Sequence, residues 1–234
     1  LARHYPQTVN IKDQGFIRNP SRLVAAYAAH FARSGGRVVT DEVRGFEIHD
    51  GRVASVRTSD SSLAAEQFVI AAGPWSRQLT KMLGFDIPLD TERGYHIMVE
   101  NPGIDLNQTV METDAKFVVT PMEAGLRFAG TVELANIDAA PDYRRTDAIT
   151  RAAKRMFPGL DTHQTTRWMG RRPSLPDGLP IIDRLPAIEN VLLAFGHAHT
   201  GMVGAPQTGR LIRGLANKMP NNFDLTPFGA ARFS

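Results

Sequence analysis

The chain has 234 residues, 42% of them hydrophobic, and 27 Lys and Arg against 24 Asp and Glu, a formal charge of +3. This suits one large or two small domains with a buried core, and because the basic residues are scattered, no nucleic-acid partner is predicted. No apolar segment approaches the roughly 20 residues of a membrane span and no signal-peptide core is evident, so we predict a cytoplasmic protein that is not transmembrane.

The first third of the chain predicts alternating helices and strands. Asn19-Pro20-Ser21 precedes an amphipathic run that Gly35-Gly36 ends, which is typical of a capped helix. The segments after it predict strands over 37–40 and 68–72, with a hairpin through Asp50-Gly51 between them. Strands and helices in this order indicate an α/β layer.

Gly73 follows the last of these strands and is a candidate ligand turn. Glycine allows the backbone to turn tightly or to approach a ligand, and Pro74 suits the first turn of a helix that we expect over 75–83. In open α/β sheets such strand-to-helix junctions face the ligand crevice.

From Thr91 the pattern changes to short alternating strands separated by turns, which predicts an antiparallel sheet over 91–133. We expect a helix over 147–157 after it, capped by Thr146 and stopped by Pro158-Gly159, and then a strand over 165–169. The last segment, 219–234, predicts a loop or tail.

Val191 to Phe195 is an unbroken apolar run, typical of a strand buried on both faces. Gly196 ends it, and a loop rich in small residues leads to a helical run from Pro206. The backbone N–H groups and the dipole of a helix N-terminus favour negative charge, so we expect an electron-rich ligand on this turn.

Several side chains allow two interpretations. His197 and His199 make a weak metal site without nearby acidic or cysteine ligands; alternatively they are surface histidines, or His197 presents a donor or a positive edge to an anionic ring. Arg172 either packs beside Trp168 or holds a substrate carboxylate through two hydrogen bonds. Tyr95 either packs within the sheet or places its hydroxyl in the pocket.

No serine-hydrolase, zinc-protease or Walker motif is present in the chain, so these enzyme classes are excluded.

Taken together, the motifs resemble those of the FAD-dependent amino-acid oxidoreductases that include glycine oxidase and the D-amino-acid dehydrogenase small subunits. The resemblance covers about residues 15–215. Its motifs are G-F-I-R-N-P-S-R-L, V-I-A-A-G-P-W-S, R-G-Y-H-I, G-R-R-P-S-L-P-D-G-L-P-I-I and F-G-H-A-H-T-G-M-V-G-A-P-Q-T-G-R-L-I.

This resemblance implies roles for individual residues. Arg172 would hold the substrate carboxylate, with Tyr95 and His197 as further catalytic residues. The residues implied to contact FAD are Val43, Ala71, Ala72, Gly73, Trp75, Gly196, His197, Gly201 and Met202. No metal ligand is implied, and because the chain has no cysteine, we expect the FAD to be held without a cysteinyl link.

The resemblance also implies the domains. We expect a partial FAD-binding, Rossmann-like α/β layer over 1–90 and 165–218, an antiparallel-sheet substrate domain over 91–164, and a tail over 219–234. The predicted fold class is therefore α/β (α+β).

The chain departs from the family pattern at three points. No Gly-x-Gly-x-x-Gly turn is present, so the sequence predicts the C-terminal portion of a longer product that binds FAD poorly alone and either dimerises or pairs with an N-terminal FAD-binding segment. Asp183 stands where glycine is usual, and Arg171 where an apolar residue is common. The extra charge of Arg171 either favours an acidic substrate side chain or lies outside the pocket.

The predicted function is FAD-dependent oxidation of a small D-amino or imino acid by hydride transfer, giving an imine and then a 2-oxo acid. Two alternatives stay open. One is oxidation of sarcosine, another secondary amine or a hydroxy acid, and the other is a non-catalytic substrate-domain subunit of a separate flavoprotein. The sequence does not rank oxygen, a quinone or a protein as electron acceptor; a quinone would place the protein at the periphery of the inner membrane.

Overall fold

A computed structural model describes residues 2, 5, 7–11 and 15–233. The chain divides into two compact units. Unit 1 comprises the described residues of Leu1–Val39 with Arg93–Glu133 and Ala139–Gly170, and unit 2 comprises Thr40–Glu92, Leu134–Asp138 and the described residues of Arg171–Ser234.

The secondary structure is mixed, as the predicted α/β class requires. The helices are α1 (Pro20–Arg33), α2 (Ser76–Met82), α3 (Arg144–Met156) and α4 (Gly201–Ala216). The strands are β1 (Val43–His49), β2 (Arg52–Thr58), β3 (Ser62–Ala64), β4 (Phe68–Ile70), β5 (Asp90–Val99), β6 (Val110–Glu112), β7 (Phe117–Met122), β8 (Gly125–Leu134), β9 (Thr165–Ser174), β10 (Ile181–Arg184) and β11 (Val191–Phe195).

Unit 1 contains the predicted antiparallel sheet. Five strands lie in the order β6-β7-β8-β5-β9, and β7 pairs antiparallel with both β6 and β8. Alternate residues of the strands, such as Ile97, Val119 and Phe128, are fully buried and pack with Ala153 and Met156 of α3. Period-2 alternation on the sheet therefore meets one apolar side of a helix, which forms the core of this unit.

Helix α1 has its predicted bounds, because Asn19 Oδ1 accepts a hydrogen bond from the Arg22 N–H and Pro20 occupies the first turn. Helix α3 begins at Arg144, three residues before the predicted start. The carboxylate of Asp142, rather than Thr146, accepts the free Arg144 N–H at 3.2 Å, while the Thr146 hydroxyl donates to the Tyr143 carbonyl. The predicted Thr146 cap is therefore wrong: the N-cap residue is Tyr143, and the residue before it, Asp142, accepts the N–H of Arg144.

Unit 2 contains two three-stranded sheets. One is antiparallel in the order β1-β2-β3, and Asp50 and Gly51 both have positive φ in its predicted hairpin turn. The other has the order β10-β11-β4, in which β11 pairs parallel with β4 and antiparallel with β10. Val191, Leu192 and Leu193 at its centre are fully buried, which confirms the predicted central strand.

Three predicted segments differ from the structure: residues 37–40, which span the boundary between the units, and residues 68–72 and 219–234. Residues 37–40 form no strand, since no described strand pairs with them. The strand predicted over 68–72 ends at Ile70, and its Val69 is 48% exposed rather than buried. The predicted tail is folded in part: two short 3-10 helices (Thr226–Phe228 and Ala230–Phe233) lie in it, and the buried Ala230 donates its N–H to Asp183 Oδ2.

The compact units and the predicted domains divide the chain at neighbouring but different residues. The predicted boundaries after residues 90 and 164 lie near the unit boundaries after Glu92 and Gly170, whereas residues up to Val39 belong to unit 1. The assignment of one domain to FAD and the other to substrate stays a prediction.

Candidate functional site

The turn after β11 requires glycine for two reasons. Gly196 has a φ of +87°, and a Cβ at this position would lie 2.6 Å from Leu175 Cδ1. Residues with a side chain rarely adopt this positive φ, and a side chain at this position would collide with Leu175, so both observations favour glycine here. The buried strand therefore ends at a fixed point and delivers the next residues to the edge of the sheet.

A short loop then leads directly into α4. The Ala198 N–H donates to the Pro173 carbonyl, and both the N–H and the hydroxyl of Thr200 donate to the His197 carbonyl. The Gly204 N–H already donates to the Thr200 carbonyl, so the helix begins at Gly201 and Pro206, where we expected its start, lies inside it.

The N-terminus of α4 has the properties of an anion site. Its first turn has no acidic residue, and no side chain caps it. The N–H groups of Gly201, Met202 and Val203 consequently have no partner within the helix, and the positive end of the helix dipole lies beside them. Met202 and Val203 are 42% and 87% exposed.

His197 is turned onto this helix. Its Nε2 lies 2.9 Å from Thr208 Oγ1, and a Cβ at Gly201 would lie 3.3 Å from its own Cβ. Burial lowers the pKa of the His197 imidazole below its usual value, so the ring is neutral at pH 7. A neutral ring offers a hydrogen bond, not a positive edge, to a ligand.

The other predicted turn, after β4, is more open. Gly73 has a φ of +55°, and no atom lies within 4 Å of the Cβ position. Ala72 precedes the 3-10 helix Gly73–Trp75, and the Trp75 side chain is 48% exposed. Val43 begins β1 opposite Thr58. These residues all belong to unit 2, as the turn after β11 does.

Arg172 is a half-buried cation with no carboxylate of the described residues within 4 Å. It lies on β9, and its Nη1 is buried with no hydrogen-bond partner among the described residues. Burial lowers the pKa of its guanidinium, and the charge of Glu92 opposes this by a smaller amount. The group stays charged at pH 7, because arginine does not lose its proton in proteins. A buried cation in this state is suited to a ligand that brings a negative charge.

Sequence reasoning missed two residues of unit 2, Ser174 and Glu92. Ser174 follows Arg172 by two positions and so shares its face of β9, and its Oγ is also buried without a partner. The period-2 alternation of a strand would have identified it. His199 Nε2 lies 3.0 Å from Glu92 Oε2, a pairing over 107 positions that no local pattern indicates.

The two adjacent arginines of β9 have separate environments. Arg171 donates its Nε–H to the Ile137 carbonyl at 2.6 Å, and successive strand residues point to opposite faces. The Arg171 side chain is therefore held by the backbone of unit 2, on the face opposite to Arg172.

Tyr95 lies in the core of unit 1 and is only 1% exposed. Its hydroxyl donates to Glu133 Oε2 at 2.5 Å and accepts the Asp142 N–H at 2.9 Å. Burial, followed by the hydrogen bond to Glu133, raises the pKa of the phenol. The structure therefore gives Tyr95 partners within unit 1, and its catalytic role stays a prediction.

The described residues contain neither a metal-binding cluster nor a membrane-spanning helix. No group of three or more His, Asp or Glu side chains in that part of the chain is arranged to hold a metal ion. Nor does any described helix have the length and apolar character needed to cross a bilayer.

Comparison with known proteins gives consistent relatives. A family model described as FAD dependent oxidoreductase matches residues 3–215. A D-amino-acid oxidase of Bradyrhizobium diazoefficiens is 39% identical over 237 residues, covering all of this chain and 56% of its own length. A D-amino acid dehydrogenase of Paramagnetospirillum magneticum is 33% identical over 187 residues, covering 78% of this chain and 44% of its own length.

Among solved structures, glycine oxidase from Geobacillus kaustophilus matches with a TM-score of 0.80 and 26% identity, covering 90% of this chain and 57% of that one. The chain thus spans about half the length of the relatives it matches. The length of the family match and the identity to the Bradyrhizobium protein together show that this chain belongs to the DAO family of FAD-dependent oxidoreductases.

Proposed function

We propose that this chain supplies the substrate-binding part, and one side of the cofactor site, of an enzyme that oxidises a small D-amino or imino acid with FAD. The observation that carries the proposal is Arg172, a half-buried guanidinium whose Nη1 has no partner. A substrate carboxylate would satisfy it through two parallel hydrogen bonds. The family match supplies the reaction class.

In the proposed reaction FAD, when bound, would supply the acceptor for the hydride that leaves Cα of a neutral amine. The amine nitrogen forms a second bond to Cα and releases one proton to water. An amino acid then gives an imine that water hydrolyses to a 2-oxo acid and ammonia, whereas a cyclic imino acid gives a cyclic imine, whose hydrolysis releases no ammonia. The contribution of Arg172 is to fix the carboxylate, which orients the Cα–H bond for transfer.

The N-terminus of α4 supports the predicted cofactor contacts at Gly196, Gly201 and Met202. Its free N–H groups and dipole would stabilise negative charge that develops on a bound ring system. The open backbone at Gly73 leaves room for a phosphate or adenosine group next to Ala72 and Trp75. His197, whose Nε2 contacts Thr208 Oγ1 and whose pKa is lowered by burial, would act as a hydrogen-bond donor.

Helix α1 supports the proposed pairing with a FAD-binding segment. None of its residues is buried, and Val24, Tyr27 and Phe31 are each more than 50% exposed. An apolar helix face of this kind is normally covered. We propose that a segment carrying the Gly-rich turn covers it, either in the same product or in a separate subunit. The cytoplasmic location stays a prediction.

The first experiment is an absorption spectrum of the 234-residue chain after addition of excess FAD and dialysis. Retained flavin bands that D-amino acids bleach without oxygen would support the enzyme, and D-proline and glycine would separate imino from amino acids. A colourless chain would favour the non-catalytic subunit, and the measurement would be repeated with the FAD-binding segment added.

Arg172→Lys tests the carboxylate contact in whichever form is active. Because lysine lacks the planar fork, KM for the amino acid should rise about tenfold to a hundredfold, with kcat changed less. Arg167→Lys, at an exposed position on the same strand, is the matched control. An unchanged KM in the Arg172→Lys variant would remove Arg172 from the substrate site.

A further inference from the structure

A cavity on the α3 side of unit 1 has no role in the proposed reaction. Its volume is about 230 Å³, and β7, β8 and α3 line it. Phe117, Ile149 and Ala152 form an apolar part of its wall, whereas Thr131, Arg151 and Arg155 bring polar groups to it. All of these residues belong to unit 1.

Thr131 enters this wall because the backbone changes direction there. Upstream on β8, the even-numbered Leu126 and Phe128 point into the core, yet the odd-numbered Glu133 accepts the hydroxyl of the core residue Tyr95. The core-facing residues therefore change from even-numbered to odd-numbered between Phe128 and Glu133. Thr131 lies between them and has a φ of +60°. A β-branched residue rarely adopts this conformation, so the surrounding structure must hold it.

The consequence of the switch is that Gly130 and Thr131 both line the cavity. A Cβ at Gly130 would lie 2.8 Å from Phe117 Cβ, so this position has no space for a side chain. The Thr131 Oγ1 is buried, and no described residue bonds to it. A hydroxyl in that state is costly unless a partner is supplied.

The two arginines are one helical turn apart on α3 and so lie on one side of it. Neither guanidinium has a carboxylate of any described residue within 4 Å, although five other arginines of unit 1 do: Arg22, Arg93, Arg144, Arg145 and Arg167. The nearby Glu112 is engaged by the backbone N–H groups of Asp114 and Ala115. Arg151 and Arg155 are thus held in no ion pair with a described residue, so both guanidinium groups can contact a ligand.

We propose that this cavity binds a small organic carboxylate, with Arg151 and Arg155 contacting the charge, Thr131 supplying a hydroxyl and the apolar wall contacting the carbon chain. Two guanidinium groups match a carboxylate, and the apolar wall favours a ligand with a short hydrocarbon part over a bare inorganic anion. The site goes beyond the proposed oxidation, whose carboxylate contact, Arg172, belongs to unit 2.

The test is a calorimetric titration of the 234-residue chain with butyrate, and with inorganic phosphate in parallel. We expect butyrate to bind and phosphate to bind at least fivefold more weakly. Arg151→Gln should weaken butyrate binding about tenfold, and Thr131→Val severalfold. Lys154→Gln removes one charge from an exposed position of the same helix that does not line the cavity, and should change the affinity less than twofold.

Ala148→Leu gives a second, charge-neutral test, because Ala148 lines the cavity but is exposed, so a larger side chain fills the space without disturbing the core. It should abolish butyrate binding while the circular dichroism spectrum stays unchanged. Three results would overturn the proposal: no butyrate binding, equal losses for Arg151→Gln and Lys154→Gln, or phosphate binding as tight as butyrate binding. Since none of these readouts requires flavin, the outcome is independent of the proposed function.

Discussion

Arg93 in unit 1 and Arg172 in unit 2 are both arginines on sheet strands, but their surroundings differ. Arg93 is fully buried, its Nε lies 3.3 Å from Glu133 Oε2, and its Nη2 donates to the Ala140 carbonyl at 2.8 Å. Arg172 is half-buried, and no carboxylate of the described residues lies within 4 Å of it. A carboxylate of the protein therefore faces the first cation, although its Nε and Nη1 form no hydrogen bond with a described residue, and no described carboxylate lies that close to the second.

This difference separates a structural charge from a ligand-binding one. Glu133 of β8 also accepts the Tyr95 hydroxyl of β5, and that hydroxyl in turn accepts the Asp142 N–H of the loop before α3. A buried ion pair of this kind is costly to break, because one partner remains charged and uncompensated. An uncompensated cation that the fold retains beside a second unsatisfied group, Ser174 Oγ, indicates a partner from outside.

Breaking the pair in unit 1 should have the largest effect. Glu133→Gln leaves Arg93 buried without a counter-ion, so we expect the free energy of unfolding to fall by about 3–5 kcal/mol, measured by urea denaturation. Asp86→Asn, which breaks the exposed pair with Arg77, is the control and should lower the free energy of unfolding far less, because solvent screens exposed charges. A loss below that of Asp86→Asn would show that Glu133 does not compensate Arg93.

His96 in unit 1 is an ionisable group that no described carboxylate compensates. Its Nδ1 is buried without a described partner, and its ring stacks on the Trp168 indole with centroids 4.9 Å apart. Burial, followed by the charge of Arg127, lowers the pKa of the imidazole to about 4. The folded state therefore holds His96 neutral where an unfolded chain would protonate it.

This gives a pH prediction with a definite sign. Above the unfolded pKa of 6.5 both states are neutral, and the stability is fully present; as the pH falls towards 4, the unfolded state binds the extra proton and stability is lost, by at most about 3 kcal/mol. His96→Phe should remove this part of the slope between pH 6.5 and 4, with His30→Phe on the exposed α1 as control. Equal slopes for both variants would contradict the assignment.

The sequence predicted the elements that local chemistry determines. The Asn19 cap, the Asp50-Gly51 hairpin, the buried run from Val191 to Phe195 and the antiparallel sheet of unit 1 all depend on residues close together in the chain, and all were confirmed. The residues 37–40 have strand composition but no described partner to pair with. Composition alone does not provide that partner.

The site was predictable only in part, for the same reason. Gly196 was identified because a strand, a glycine and a helix follow one another in the chain. The pairing of His199 with Glu92 and the contact of Arg171 with Ile137 join distant positions, and their geometry arises only on folding. Tyr95 was predicted either to pack in the sheet or to place its hydroxyl in the pocket, and the hydrogen bond of that hydroxyl to Glu133, 38 positions away, could not be predicted from the local sequence.

Tyr95→Phe tests the polar cluster around Glu133 in unit 1 by removing a single hydroxyl group. The variant keeps the ring in the core but removes the donor to Glu133 and the acceptor for the Asp142 N–H, so we expect a loss of about 2 kcal/mol in the free energy of unfolding. Tyr143→Phe, at a 39% exposed position near the same ring, is the control. If Tyr95→Phe lost activity in the active form without losing stability, its predicted catalytic role would gain support over the structural one.

The smallest effect on stability is expected at Arg172. Methionine has a similar length and no charge, so Arg172→Met removes an uncompensated cation without opening a large cavity, and the free energy of unfolding should change by less than about 1 kcal/mol in either direction. The same substitution at Arg93 leaves Glu133 without its buried partner and should cost about 3–5 kcal/mol. A large loss from Arg172→Met would mean that the fold, rather than a substrate carboxylate, requires this guanidinium. A small loss in the free energy of unfolding, together with loss of substrate binding in the active form, would assign Arg172 to substrate binding. The guanidinium would then contribute to the function of the protein and not to its stability.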